Sequence, residues 1–338
     1  MIKIENKFSN KTVDYYFDIS FADVKNDNTI LITDANVFAL YSLKFEKFKT
    51  IVIEAGEAFK QQQTIDKIIK QLIDLGADRK TTLVGVGGGV VTDITGYVAS
   101  VYMRGVEFAF VPTTILAMVD AAIGGKNGID VGLYKNMVGT INQPKFLLYD
   151  FSFLETLPNE QWVNGFAEII KHACIKDAEL FVELENRGIE NYKTNKDLLA
   201  SLIQKNVTIK TNVVVNDEFE QGDRKLLNFG HTFGHAIENL YQLPHGHAVS
   251  IGMTIAAKIS EEINNFYSDD KQRMIDLLLK FQLPTHFEFD KHNVFAVLTK
   301  DKKRDGDTIN FILLNKIGEA VIKPISLLQV EDLVNQIL

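Results

Sequence analysis

Short β-branched runs alternate with amphipathic stretches through the first 150 residues, and that rhythm limits the fold more than any other feature of the chain. TILIT (29–33), KTIVIE (49–54), TTLVGV (81–86) and EFAFVP (107–112) have the length and composition of strands, and TIDKIIKQLIDLG (64–76) repeats its apolar residues at helical spacing. Strand–helix–strand units of this kind stack into a mostly parallel sheet covered by helices. From about residue 160 the period lengthens. QWVNGFAEIIKHACI (161–175), DLLASLIQKNVTIKTNVVVNDEF (197–219) and AVSIGMTIAAKISEEINNF (248–266) all read as helices. Near the end, DTINFILLNKIGEAVIK (307–323) reads as a hairpin and ISLLQVEDLVNQIL (325–338) as a closing helix. A chain of 338 residues exceeds the usual size of one core. The expectation is an α/β protein with a Rossmann-like parallel-sheet domain over residues 1–155 and a mainly α-helical domain over 156–338. The boundary falls in the loop through Pro158.

Charge and composition exclude several partners. The net charge is -8, with both signs interspersed, so no basic stripe follows a phosphate backbone and nucleic acid is not an expected partner. No apolar run approaches eighteen residues, so no membrane span is expected. MIKIENKFSN lacks the basic, apolar, small-residue order of a signal peptide, and a single cysteine, Cys174, forms no internal disulfide. Both features fit a reducing cytoplasm.

Four segments carry residues that do chemistry. GVGGGVVTD (85–93) follows a strand and opens a helix, where glycines let the backbone approach a pyrophosphate at a helix N-terminus. The strict GxGxxG spacing fails at Val90, so a structural glycine turn is the competing reading. VPTTILAMVDAAIGGKNGIDVGLYKNMVG (111–139) gathers Thr113, Thr114, Asp120, Lys126, Lys135 and Asn136 around further glycines. Lysines there suit a phosphate, or the segment is a solvated loop. In GFAEIIKHACI (165–175), Glu168, Lys171 and His172 lie three and four residues apart, as an exposed ion pair or with Glu168 as a metal ligand. NFGHTFGHAIENLYQLPHGH places His231, His235, His245 and His247 within seventeen positions. Helical spacing alone would make His231 and His235 joint ligands.

These motifs in this order resemble the 3-dehydroquinate synthase family. GEAFK (56–60), GGGVVTD (87–93), RG (104–105), PTTILAMVD, GGKNGID, KNMVG, QP (143–144), FLETLP, GFAEIIKH, LNFGHTFGHAIE and HGHAVSIGM carry the resemblance, which runs from TDAN (33–36) to DKK (301–303). It implies a cytoplasmic homodimer with an N-terminal NAD-binding α/β domain and a C-terminal helical metal domain. The implied reaction takes 3-deoxy-D-arabino-heptulosonate 7-phosphate to 3-dehydroquinate and phosphate through transient oxidation by NAD, phosphate elimination, re-reduction and intramolecular aldol closure.

The resemblance also implies residue roles. Glu168, His231 and His245 bind Zn2+ or Co2+, and His235 contacts substrate in place of metal. Arg104, Lys126, Asn136, Lys171, Lys210, Arg224, Asn228, His235 and Lys303 surround the substrate carboxylate and phosphate, with Asp120 and Lys135 near both substrate and nicotinamide. NAD falls to Asp34, Asn36, Glu57, Lys60, Gly89, Val90, Val91, Thr92, Asp93, Thr113, Thr114, Lys126, Lys135, Phe153, Leu154, Glu155 and Thr156, with the Asp34 carboxylate accepting from the adenosine ribose. The chain departs from the family pattern at His247, where HGH replaces HGE, at Ala121 and Ala122 in place of a serine pair, at Glu160 and at Asn142. His247 is expected to orient its neighbour His245 rather than to bind metal. Two rival activities remain: another sugar phosphate cyclase and a metal-dependent polyol dehydrogenase.

Overall fold

The computed structural model describes residues 2–25, 27–132, 134–298, 304–305 and 308–337. Its first half runs β1 (Ile2–Lys7), β2 (Thr12–Phe17), β3 (Thr29–Asp34), α1 (Ala35–Phe45), β4 (Lys49–Ile53), α2 (Gln62–Asp74), β5 (Thr82–Gly87), α3 (Gly89–Val101), β6 (Glu107–Pro112), β7 (Lys126–Val131), β8 (Tyr134–Ile141) and β9 (Phe146–Tyr149). Helices then dominate: α4 (Asn159–Lys176), α5 (Ala178–Glu185), α6 (Ile189–Thr194), α7 (Lys196–Asn216), α8 (His231–Tyr241), α9 (His245–Asn264), α10 (Ser268–Lys280) and α11 (Lys291–Leu298). The chain ends in β10 (Arg304–Asp305), β11 (Thr308–Lys316), β12 (Glu319–Ser326) and α12 (Leu327–Ile337). No helix among the described residues is long and apolar enough to cross a membrane.

Two compact units divide the chain: Met1–Gln161 with Ala200–Phe219, and Trp162–Leu199 with Glu220–Leu338. The first therefore includes most of α7, which a single cut at 155/156 would assign to the second half. Specific polar contacts hold it there. Lys210 Nζ lies 2.7 Å from both the carbonyl and the carboxylate of Asp120, and Glu218 accepts from Ser9 N and Gln143 Nε2, each at 2.8 Å.

The first unit is built on a seven-stranded sheet ordered β1-β2-β9-β6-β5-β3-β4. All neighbours are parallel except β1 with β2. The four strands read from the sequence are β3 to β6. β3, β5 and β6 are buried on both faces, where β-branched residues pack well on the pleat, whereas β4 at the sheet edge alternates buried and exposed residues. From β3 the chain steps outward to β4, then returns to the other side of β3 for β5, β6 and β9, so the order reverses between β3 and β5. The carboxyl ends flanking such a reversal form a ligand crevice in open α/β sheets. Asp34 and the Gly87–Gly88 turn sit at those two ends. The segment 126–141 is no solvated loop but an antiparallel β7–β8 hairpin.

In the second unit α8, α9, β11 and α12 share one core, in which Phe233, Ile237, Ile251, Ile255 and Ile259 meet Ile309, Phe311, Leu313 and Val330. β11 and β12 form the expected hairpin, and Gly318 takes φ +85° in its turn. Glycines bring the helices unusually close. A Cβ on Gly252 of α9 would overlap the carbonyl oxygen of Gly230 at the head of α8, and one on Gly246 would lie 2.5 Å from the carbonyl of Asn164 on α4. Gly252→Ala is therefore expected to destabilise the protein by about 1–3 kcal/mol, the usual range for overpacking a tight interior. Gly188→Ala, where only Asn191 Oδ1 comes within 4.0 Å, should stay within about 0.5 kcal/mol of wild type. Urea denaturation of the two variants checks the pair.

Candidate active site

Three helices of the second unit each contribute one donor to a buried cluster. Glu168 lies in the fully buried stretch of α4, His231 opens α8, and His245 opens α9 directly after Pro244. Gly230 turns the chain into α8 with φ +77°, a conformation other residues seldom take. Glu168 Oε1 stands 3.2 Å from His245 Nε2 and 3.5 Å from His231 Nε2. Zinc bonds of about 2.0–2.1 Å at tetrahedral angles put neighbouring donors roughly 3.3 Å apart, so these separations match the edges of a coordination tetrahedron.

Both imidazoles are also held by their other nitrogen. His231 Nδ1 lies 3.0 Å from the Phe229 carbonyl and His245 Nδ1 lies 3.2 Å from Glu238 Oε2. With the proton held on Nδ1, each Nε2 would turn its lone pair towards a cation shared with Glu168 once it carries no proton of its own, the tautomer a metal requires. The residues thus fit a divalent cation bound by two nitrogens and one oxygen. The His245 side chain is 26% exposed, which leaves one side of the cluster accessible. Without a cation, burial opposes charging of His245, but the bonded carboxylates of Glu168 and Glu238 outweigh it and raise the imidazole to about 10.

His235, one turn after His231, stands beside this cluster rather than in it. Its ring centroid is 5.0 Å from that of His231 and 6.4 Å from that of His245, and the donor atoms that gather are those of Glu168, His231 and His245. The i, i+4 rule fails because the third donor comes from a different helix. Lys171 is not on the surface either. It is buried, with its ammonium against Glu168 Oε2, so the i, i+3 pair that reads as exposed is interior. Arg224 and Asn228 lie on a short 3-10 turn of the same unit, and Asn228 Nδ2 donates to Glu220 Oε1 at 2.8 Å.

Glu238 and Glu220 were missed by the sequence reading. Glu238 carries a usable signal, since it lies seven residues, two helical turns, beyond His231 on the same face. Glu220 carries none but its non-glycine left-handed backbone, φ +59°, which only coordinates reveal. His247 is half-buried, and Lys303 lies outside the described residues.

The residues read as nucleotide contacts all lie in the first unit, most of them just past the carboxyl ends of β3, β4, β5, β6 and β9. Gly89, Val90, Val91, Thr92 and Asp93 form the first turn of α3, the Thr113 amide bonds to the Gly87 carbonyl at 2.9 Å, and Thr114 Oγ1 accepts from Ala117 N at 3.1 Å. One oxygen of Asp34 caps α1 by accepting from Asn36 N and Val37 N, at 2.9 and 3.0 Å. Phe153 and Leu154 are buried in the core, whereas Glu155 and Thr156 are exposed and Thr156 Oγ1 meets Tyr41 Oη at 2.6 Å. Ala121 faces Gly89, whose Cβ would lie 3.1 Å away. Asp120 sits on a π-helical turn, Ala117–Ala121, and binds Lys210. Lys126 starts β7 with its side chain exposed.

A charged group lies beside these. Lys60 Nζ is 2.5 Å from Asp93 Oδ2 and 2.6 Å from Asn136 Oδ1, while Lys135 Nζ is 3.4 Å from Glu57 Oε1. Arg104 is exposed on a turn where it and Met103 both take left-handed backbone, φ +68° and +50°.

A parallel sheet with a glycine turn at its order reversal, and a helical unit with a Glu–His–His cluster, together have the fold of the sugar phosphate cyclases. 2-Epi-5-epi-valiolone synthase from Streptomyces hygroscopicus subsp. jinggangensis 5008, solved with NAD+ and Zn2+, superposes with a TM-score of 0.88 at 26% identity over 98% of each chain. 2-Deoxy-scyllo-inosose synthase, complexed with carbaglucose-6-phosphate, NAD+ and Co2+, gives 0.83 at 25% identity over 99% of this chain and 100% of its own. Within that class the chain belongs to the 3-dehydroquinate synthase family. The family's N-terminal region matches residues 50–164 and its C-terminal region residues 165–304. The 3-dehydroquinate synthase of Campylobacter concisus (strain 13826) is 39% identical over 304 residues, 87% of this chain and 86% of the relative.

Two outcomes follow from the cluster. Glu168→Gln should weaken zinc binding by more than about 100-fold, beyond the 10- to 100-fold typical of an outer partner, as read by competition with a chromophoric chelator. A metal ligand must also be neutral, whereas metal-free His245 keeps its proton up to about pH 10. Adding zinc near pH 7.5 should therefore release about one proton from His245, and affinity should rise with pH until His245 deprotonates by itself. A weakly buffered indicator dye measures the release, and its absence would contradict ligation by His245.

Proposed function

We propose that the chain converts 3-deoxy-D-arabino-heptulosonate 7-phosphate to 3-dehydroquinate and phosphate, with NAD and one divalent metal, zinc or cobalt, as cofactors. The observation that carries this is the Glu168, His231 and His245 cluster, with both Nε2 atoms turned towards one carboxylate oxygen. The NAD+ and metal held by solved relatives of the same fold support both cofactors, and the carbaglucose-6-phosphate bound by one of them supports a sugar phosphate substrate.

When bound, NAD supplies an acceptor that returns its hydride and the cation supplies Lewis acidity towards substrate hydroxyls. The remaining catalysis falls to the chain's own groups. We assign Arg104, Lys126, Lys171, Lys210, Arg224 and Lys303 to the charges of the substrate carboxylate and phosphate, and Asn136, Asn228 and His235 to its oxygens. Asp120 and Lys135 serve substrate and nicotinamide together. Lys210 is held through two bonds to Asp120, so its ammonium is oriented before substrate arrives. Elimination needs little from a protein base, because the departing phosphate carries the proton away. Holding the reacting chain in the geometry of ring closure is then the larger contribution.

We assign NAD to the α3 N-terminus, whose first-turn amides suit a pyrophosphate, and to Asp34, Asn36, Glu57, Lys60, Thr113, Thr114 and 153–156. A cytoplasmic homodimer is part of the same reading. Apolar side chains exposed on the β7–β8 hairpin, among them Tyr134 and Met137, support a surface that pairs with a second copy.

One assay tests the reaction. Protein with zinc and catalytic NAD should release one phosphate per heptulosonate phosphate without accumulating NADH; net NADH would instead mark a polyol dehydrogenase. Chelation by EDTA should abolish turnover, and zinc or cobalt should restore it. Lys210→Met should lower kcat/KM by about 100-fold or more, as loss of a fixed charge-stabilising group does.

A further inference from the structure

Asn136 of the β7–β8 hairpin is held in a constrained conformation. It is a non-glycine residue in left-handed backbone, φ +54°, a state that persists only where its surroundings hold it. Two partners do so. Asp130 Oδ1 accepts from the Asn136 amide at 2.8 Å, and Lys60 Nζ donates to Asn136 Oδ1 at 2.6 Å. The second bond settles which way the carboxamide faces. Its oxygen points at an ammonium, so its NH2 points away, and the residue is exposed. A pair of N–H donors is thereby offered outward in one orientation.

Besides the NAD contact assigned to it, Lys60 is placed to orient a neighbour. It is only 4% exposed, so its ammonium is committed largely to groups of the chain itself. Its ammonium is shared between Asp93 Oδ2 at 2.5 Å and Asn136, with Glu57 Oε1 at 4.0 Å. Burial disfavours its charge, but Asp93 and Glu57 more than offset this, so Lys60 stays a cation. Asp130 ties the arrangement together at the backbone: its amide donates to the Lys60 carbonyl at 2.7 Å while its carboxylate holds the Asn136 amide. One aspartate thus grips both the lysine segment and the hairpin.

We propose that Asp130 and Lys60 are positioning residues that fix the Asn136 carboxamide, NH2 outward, for an oxygen of the sugar phosphate, and that neither touches the substrate. This rests on the assignment of Asn136 to substrate under the proposed reaction.

A double-substitution cycle tests it, with kcat/KM for the heptulosonate phosphate and the dissociation constant of NAD as readouts. Asp130→Ala should lower kcat/KM by about 10-fold, the scale of one lost charge-assisted bond. Asp130→Asn keeps an acceptor oxygen and should recover to within about threefold of wild type. NAD affinity should change less than about twofold in both. In an Asn136→Gly background, where left-handed backbone needs no support, Asp130→Ala should add less than about twofold, because the carboxamide it positions is gone. Losses that multiply across the cycle, or NAD affinity that falls in parallel, would overturn the proposal. So would unchanged kcat/KM in Asn136→Gly, while phosphate release by the wild type would still uphold the reaction. If Asp130→Ala does not fold, Asp130→Ser enters the cycle in its place and the same outcomes decide.

Discussion

The Glu–His–His cluster depends on backbone contact between helices. Gly252 of α9 lies against the Gly230 carbonyl, and Gly246 lies against Asn164 of α4, whose side chain also accepts from the Gly246 amide. Any side chain at these glycines would push the helices apart by the reach of at least one methyl group. The three donors come from three helices, and a coordination tetrahedron tolerates errors of only a few tenths of an ångström. Close packing at glycine therefore sets the site. It also fits the histidines opening their helices: Gly230 and Pro244 immediately precede His231 and His245, so the same two residues that begin the helices aim the imidazole donors.

The two imidazoles are not equivalent. A neutral carbonyl holds His231, whereas the carboxylate of Glu238 holds His245. A carboxylate partner makes an imidazole the better donor, so His245 would be the stronger nitrogen ligand of the pair. Lys171 balances the charge from the other side through Glu168 Oε2. With both histidines neutral, two glutamates, one lysine and a bound divalent cation would sum to one net positive charge, a favourable state for a site that must attract an anionic substrate.

Much of this was legible in the sequence, and the exceptions have physical causes. β3 to β6 follow from β-branched runs between amphipathic helices, and the β11–β12 hairpin follows from a turn at Gly318. β1 is almost wholly exposed and has little apolar pattern to read, and the β7–β8 hairpin is interrupted by glycines that suggest loops. The membership of α7 in the first unit depends on bonds 90 residues apart, between Lys210 and Asp120, which no local window contains. At the cluster, helical spacing points to His231 with His235, and only the motif's resemblance points to His245. The buried state of Lys60 was likewise invisible, since nothing in the local sequence brings Asp93 and Asn136 against it.

The glycine turn shows how a motif can fail while its physics survives. In the dinucleotide fingerprint the last glycine lets the helix pack closely on the strand, and here Val90 occupies that position. The close approach is achieved from the opposite side. A Cβ on Gly87 would lie 2.5 Å from Val91 Cγ2, and one on Gly85 would lie 2.7 Å from Thr95 Oγ1. The missing side chains are on β5 rather than on α3, so a helix bearing valine and threonine still seats against the sheet with its N-terminus at the order reversal. Spacing rules encode one way of making room, whereas the requirement itself is only that one of two facing residues be glycine.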